Sequence, residues 1–185
     1  MPSGQDSSSP AAIEPRVLRD VLGRFATGVT IMTARDSGGQ LTGITVNSFT
    51  SVSLDPPLIL WCVALTSSQS DMFQVGFPFV VNILSDDQLE QAKRFARSGP
   101  AEFLGAHFQV TPAGLPRLEG CVAGLECEVT ARYEAGDHAI VVARVTALYQ
   151  GELHPLVFFA GQFKRLAGSH IGSEGPPSWF PWQDD

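Results

Sequence analysis

Two runs rich in β-branched residues, Val29–Ala34 and Leu41–Val46, flank the turn Asp36-Ser37-Gly38-Gly39. Extended segments around a glycine-containing loop predict a β-hairpin, so the chain commits early to a sheet. The second run continues into Thr45-Val46-Asn47-Ser48-Phe49-Thr50-Ser51-Val52-Ser53. A purely structural strand alternates polar with large apolar residues. Here Ser and Thr fall on both parities, so part of the segment faces something polar other than water. A Ser/Thr-rich edge strand satisfying its own turns would use the same residues.

The rest of the chain extends this pattern. Val17, Leu18, Val21, Leu22 and Phe25 recur at helical spacing and predict an amphipathic helix over Arg16–Ala26. Asp55-Pro56-Pro57 reads as a turn or edge segment, because proline lacks a ladder donor. Leu58–Ala64 and Phe79–Leu84 read as strands. Ser67-Ser68-Gln69-Ser70-Asp71 has the composition of a helix start, and Ser85-Asp86-Asp87 that of a cap on a helix reaching about Arg97. Ser98–Pro116 is turn-rich. Cys121–Tyr133 and His138–Gln150 are long strands joined by Glu134-Ala135-Gly136-Asp137, and Leu156–Phe159 and Gln162–Leu166 follow. Many strands, few helices and tight turns predict a mainly β protein: a closed or partly closed antiparallel barrel with helices at its ends.

Composition narrows the function classes. The 185 residues are 44% hydrophobic and 17% charged, which fits one globular domain. The net charge of −7 argues against a nucleic-acid partner, which would want a basic surface. The longest apolar run, Leu58 to Leu65, is far short of the roughly 20 residues of a membrane helix. Cys62, Cys121 and Cys127 lack metal or redox-pair spacing, so no metal is expected. The first 15 residues carry no secretory pattern, and a cytoplasmic location is expected. Neither Gly-x-Gly-x-x-Gly nor Gly-x-x-x-x-Gly-Lys occurs, so a nucleotide would not be held by a Rossmann unit or a P-loop.

Six segments, in order, carry a resemblance. They are Phe25-Ala26-Thr27-Gly28-Val29-Thr30, Thr45 to Pro57, Arg94-Phe95-Ala96, Leu115-Pro116, Leu125-Glu126-Cys127 and Gly136-Asp137-His138. Together they resemble the flavin reductase domain family, the small partners of two-component flavin-dependent monooxygenases. The resemblance spans about Val17 to Leu166 and implies an antiparallel, FMN-binding split β-barrel over residues 16–167. Residues 1–15 are expected to be a disordered segment, and 168–185 an aromatic and acidic tail. Further implications are a homodimer with flavin sites near its interface and reduction of FMN or FAD by NADH or NADPH. Reduced flavin would then diffuse to a separate monooxygenase. A flavoprotein that keeps its flavin, or a non-enzymatic flavin-binding module, remains a competing class.

Hydride transfer needs the two rings stacked with reacting atoms about 3–3.5 Å apart. The protein supplies placement and water exclusion, and the cofactors supply the electronics. The resemblance assigns flavin contacts to Thr30, Thr45, Val46, Asn47, Ser48, Ser51, Val52 and Ser53. Ser67, Ser68 and Ser70 are candidates for the flavin phosphate, since a helix start favours an anion; an ordinary helix cap is the alternative. Relatives often place a basic residue beside these serines, whereas this chain has Gln69. Arg94, with Phe95 and Ala96, matches another flavin-contacting segment. His138 is assigned to the nicotinamide side of the flavin, as a positioning group. Phe158-Phe159-Ala160-Gly161-Gln162-Phe163 matches a stretch that often carries tyrosines, so stacking surface is kept and hydroxyls are lost.

Overall fold

The computed structural model describes residues 13–97, 103 and 105–166. The expectations for residues 1–12 and for the tail 168–185 lie outside the described residues. Twelve strands, two α-helices and one short 3-10 turn make up the described chain. In chain order they are α1 (Pro15–Leu22), β1 (Thr27–Gly28), β2 (Thr30–Arg35), β3 (Leu41–Val46), β4 (Thr50–Leu54) and β5 (Pro57–Ala64). The 3-10 turn Ser70–Met72, β6 (Pro78–Ile83), α2 (Leu89–Phe95), β7 (Phe108–Val110) and β8 (Pro116–Leu118) come next. The chain closes with β9 (Ala123–Ala135), β10 (His138–Gln150), β11 (Leu156–Phe159) and β12 (Gln162–Arg165).

Seven strands form one antiparallel sheet in the order β3-β2-β6-β9-β10-β5-β4. The hairpins are tight where the turn chemistry allows it. Asp36 Oδ1 accepts from the N–H groups of Gly38 (2.9 Å) and Gln40 (2.8 Å), closing the β2–β3 loop. Gly136 takes a φ of 64°, so β9 and β10 are joined by Gly136-Asp137 alone, two residues shorter than expected. The ladder between β9 and β10 shifts register twice, between Val142 and Ala143 and between Val145 and Ala147. Such shifts bend long strands and let a sheet curl.

The curled sheet has a core on each face, because residues alternate across a strand. On one face Met32, Ala34, Ile59, Trp61, Val63, Phe79, Val81, Cys127, Val129, Ala139, Val141 and Ala143 pack with Phe73. The Phe73 ring meets Trp61 edge-on at 4.6 Å and Phe79 at 5.6 Å, contacts of about 0.5–1.5 kcal/mol each beyond burial. The opposite face of β2 supplies Ile31, and the residue before the strand Val29, to a second core with Leu84, Ala92, Phe95, Leu118 and Leu156. Asn82 ties this layer together: its amide donates to Ile31 O (2.9 Å) and Thr33 Oγ1 (2.8 Å), and its carbonyl accepts from Leu118 N (2.8 Å).

Three expected helical features are corrected. The first helix ends at Leu22, not Ala26, where Gly23 N–H caps onto Arg19 O at 2.9 Å. Its apolar residues Val17, Leu18, Val21 and Leu22 are exposed, as is Phe25 beyond it. Ser67–Asp71 does not open an α-helix; it forms only the three-residue 3-10 turn. Ser85-Asp86-Asp87 does not cap α2, which starts after Gln88. Ser85–Gln88 instead forms a separate turn, with Gln88 N–H donating to Ser85 O at 2.9 Å and the Gln88 carboxamide accepting from Ser85 N–H at 3.0 Å. The sheet also does not close by hydrogen bonds, because β3 and β4 each end it unpaired to the other.

Candidate active site

The two outer strands of the sheet, β3 and β4, are consecutive in the chain and are joined by Asn47-Ser48-Phe49. The hydroxyl-rich segment is therefore the strap that crosses the split in the barrel. Edge strands carry main-chain donors and acceptors that the sheet does not use. Gly43 O accepts from Gln69 Nε2 at 2.9 Å and so marks the outward side of β3. By the two-residue alternation of a strand, Leu41 and Thr45 turn their main-chain amides the same way.

Side chains around the strap fix its course. Ser48 Oγ donates to Cys62 O (3.1 Å) and accepts from Cys62 N (2.9 Å), binding the strap to β5 as a ladder partner would. Thr30 is buried, and its hydroxyl donates to Val46 O at 3.0 Å. Thr45 Oγ1 donates to Ala92 O at 2.8 Å, which seats α2 against β3. Asn47, Ser51 and Val52 are exposed, with Val46 and Ser53 half-buried. Phe95 is in the second core, its ring edge-on to Phe103 at 5.0 Å, and Arg94 and Ala96 lie beside it at the end of α2.

The serine cluster separates into two kinds. Ser70 is buried and accepts from Arg132 Nη2 at 3.1 Å, which ties the turn to β9. Ser68 is exposed, and Ser67 Oγ accepts from Gln69 N–H at 3.3 Å. An anion at this turn would meet loop amides and hydroxyls; no α-helix N-terminus forms there.

His138 is the first residue of β10 and stands opposite Ala64 of β5. Its side chain is exposed, and Nδ1 lies 2.7 Å from Asp137 Oδ1. That hydrogen bond and the imidazole charge hold the Asp137 carboxyl below its ordinary range. The contact with Asp137 orients the exposed ring.

A shallow pocket of about 150 Å³ opens at the β3 end of the strap, lined by Val29, Thr45, Val46, Asn47, Phe158 and Phe163. Phe158 and Phe163 meet at 5.3 Å and give it an aromatic wall. Thr27, opposite Phe158 in the β1–β11 ladder, has a buried hydroxyl with no partner among the described residues. A buried polar atom left unpaired costs about 1–3 kcal/mol. An apolar floor, an aromatic wall and the Asn47 amide at the rim fit one face of a flavin ring. Val29 and Thr27 were in a matched segment without an assigned role; their placement depends on β11 and β12, more than 120 residues away in sequence, and no local pattern signals it.

The chain matches the flavin reductase like domain over residues 22–167. It is 40% identical over 158 residues to the FMN reductase (NADH) SmoA of Agrobacterium fabrum, covering 85% of this chain and 90% of that protein. It is 35% identical to the monooxygenase reductase subunit HsaB of Rhodococcus jostii, covering 99% and 91%. Against a probable flavin reductase of Rhizobium meliloti, by contrast, it spans 52% of the relative's length. Its fold superposes on the NADH:FAD oxidoreductase SgcE6 of Streptomyces globisporus, solved with NAD and FAD fragments. That comparison has a TM-score of 0.78 and 36% identity, over 84% of this chain and 96% of the other. The chain belongs to the flavin reductase like domain family.

Proposed function

We propose that this flavin reductase takes a hydride from a reduced nicotinamide dinucleotide onto a bound flavin and releases the reduced flavin to a separate monooxygenase. The observation that carries the reading is the open β3 edge, which runs through Thr45 into the exposed Asn47 beside an aromatic-walled pocket. When bound, the flavin supplies the hydride-accepting N5 and the nicotinamide C4 the hydride. The chain's own part is placement. Thr45 and Ser48 hold the strap by their bonds to Ala92 and Cys62, Asn47 and the edge amides meet the polar rim of the ring, and Phe158 and Phe163 exclude water from one side. His138, steered by Asp137, orients the dinucleotide.

NADH is the favoured donor on the names of its relatives, and a two-component monooxygenase is the favoured partner. A homodimer is supported by the exposed apolar row Val17, Leu18, Val21, Leu22 and Phe25, which covers itself best against a second copy. The unbridged Cys62, Cys121 and Cys127 agree with a reducing cytoplasm. No helix among the described residues is long and apolar enough to cross a membrane.

The test is anaerobic mixing of the protein with NADH and excess flavin. Bleaching of many flavins per subunit is expected. Bleaching that stops at one equivalent would mean a flavoprotein that keeps its flavin, and none at all would mean a binding module.

A further inference from the structure

The aromatic-walled pocket stands between two separate sheets. Thr45 and Val46 of β3, with Asn47 beyond them, belong to the seven-stranded sheet, whereas Phe158 and Phe163 belong to the small sheet β1-β11-β12. No ladder joins the two sheets among the described residues. The width of the pocket is therefore set by whatever else fixes the small sheet.

Main-chain bonds fix it along one side. Leu84 N–H donates to Val29 O at 3.0 Å, Leu156 N–H to Leu84 O at 3.0 Å and Asp86 N–H to His154 O at 2.8 Å. These hold the exit of β1 and the start of β11. Among the described residues no main-chain bond runs from β12 to the seven-stranded sheet. At the hairpin tip Ala160 N–H donates to Gly23 O at 2.8 Å. Gly23 caps α1, which buries none of its own residues, so this tie gives the tip no grip on the large sheet.

Arg165, the last residue of β12, crosses that gap. Its Nη2 lies 2.8 Å from Asp87 Oδ1 and its Nε 3.5 Å from Asp86 Oδ2. Both aspartates follow β6 and precede α2, so they ride on the large sheet. We propose that Arg165 is a positioning residue of the flavin reductase reaction. Its contacts with Asp86 and Asp87 hold the β11–β12 hairpin closed, with Phe158 and Phe163 against the bound ring, and their release opens the pocket. This rests on the reading that the flavin ring lies between Asn47 and the two phenylalanines.

The ladder gives the contact its leverage. Arg165 stands opposite Leu156, which is buried and bonded to Leu84, so the base of the hairpin is clamped by main chain on one strand and by charge on the other. Phe163 is two residues before Arg165 and shares its face of β12, opposite Phe158. Freed at Arg165, β12 can twist about β11 and carry Phe163 with it. Arg165 is 68% and Asp87 80% exposed. Exposed ion pairs are weak and screened by salt, so this pair biases the hairpin without holding up the fold. A guanidinium fork can reach two carboxylates at once, which an ammonium does less well.

The experiment is stopped-flow dilution of the flavin-loaded protein, followed by flavin fluorescence, for wild type, Arg165→Gln, Arg165→Lys and Asp87→Asn. Each is measured from about 0.01 M to about 1 M salt, where the screening length falls from about 30 Å to about 3 Å. Wild-type release should speed up with salt. Arg165→Gln should release flavin about two- to fivefold faster at low salt, lose the salt dependence, and raise the flavin KM without lowering kcat. Asp87→Asn should move release in the same direction, and Arg165→Lys should recover most of the wild-type behaviour. Unchanged release in either Arg165→Gln or Asp87→Asn overturns the proposal, as does a salt dependence that survives in Arg165→Gln. A lowered unfolding midpoint with normal flavin kinetics makes Arg165 a structural tie and overturns its positioning role. Failure of the wild type to bind flavin rejects the underlying reading itself.

Discussion

Ser48 Oγ holds both main-chain groups of Cys62, donating to its carbonyl at 3.1 Å and accepting from its N–H at 2.9 Å. One side chain thus does the work of a strand partner where the sheet has none. Ser48→Ala removes both bonds and should cost about 1–2 kcal/mol in urea unfolding. Because the strap loosens with it, flavin affinity should fall in parallel. Loss of affinity with unchanged stability would instead point to a direct flavin contact by the hydroxyl.

Asn47 is exposed at the pocket rim, so Asn47→Leu should leave stability within about 0.5 kcal/mol and greatly weaken flavin binding. Fluorescence titration beside a thermal melt measures both. Unchanged affinity in a folded variant would remove Asn47 from the site.

His138→Ala should impair use of the nicotinamide substrate. Loss of one positioning hydrogen bond costs about 1–3 kcal/mol, roughly a ten- to hundredfold drop in kcat/KM, while flavin affinity moves little. Stopped-flow mixing of NADH with the flavin-loaded variant separates the two effects. Normal reduction kinetics would return His138 to a turn-shaping role.

Gly43 lets β3 lie against α2. A Cβ at this position would stand 2.7 Å from the Phe95 ring and 3.3 Å from Met32 O. Gly43→Ala should therefore destabilise the fold by about 1–3 kcal/mol, read from the midpoint of denaturant unfolding. A neutral effect would show that Phe95 can swing aside.

Burial pushes the Cys127 thiol up from 9.0 to about 12 and the Cys121 thiol to about 11. A thiol held neutral in the folded state and free to ionise when unfolded stabilises the fold fully below pH 9. That contribution shrinks as pH rises from 9 toward the folded values. Stability should therefore decline between pH 9 and about 12, and Cys127→Val should flatten the slope. Pulsed alkylation at pH 8 should label Cys62 first and Cys127 last; the reverse order would contradict the packing.

Local chemistry explains which parts of the fold were legible. Leu41–Val46, His138–Gln150 and Leu156–Phe159 have the bounds read from the sequence, because a run of strand-forming residues in each is bounded on at least one side by a glycine-containing turn. Ser67–Asp71 misled because serine favours helix caps in general, whereas here Arg132, 62 residues on, claims Ser70 and holds it in a turn. Ser85-Asp86-Asp87 misled in a similar way, since the chain closes a separate turn from Ser85 to Gln88 before α2 begins. In the candidate site, the hydroxyl-rich segment was visible by composition. That Thr30, Thr45 and Ser48 spend their hydroxyls on Val46, Ala92 and Cys62 depends on which strands become neighbours. Phe158 and Phe163 were visible as a stacking surface, but their meeting with Val29 and Asn47 comes from the β1–β11 pairing.

The strap between β3 and β4 also has a mechanical meaning. No ladder bond joins these strands, so the seam can widen without a single rung of the sheet breaking; the Ser48 clasp on Cys62, the Gln69 bond to Gly43 O and the packing of Phe49 on the core resist. A fully zipped barrel would need to unfold locally to let a long ligand out sideways. Here the spine of the book stays bound through β6, β9 and β10 while its covers part along one line. Such a hinge suits a molecule that is gripped for one chemical step and given up at the end of each cycle.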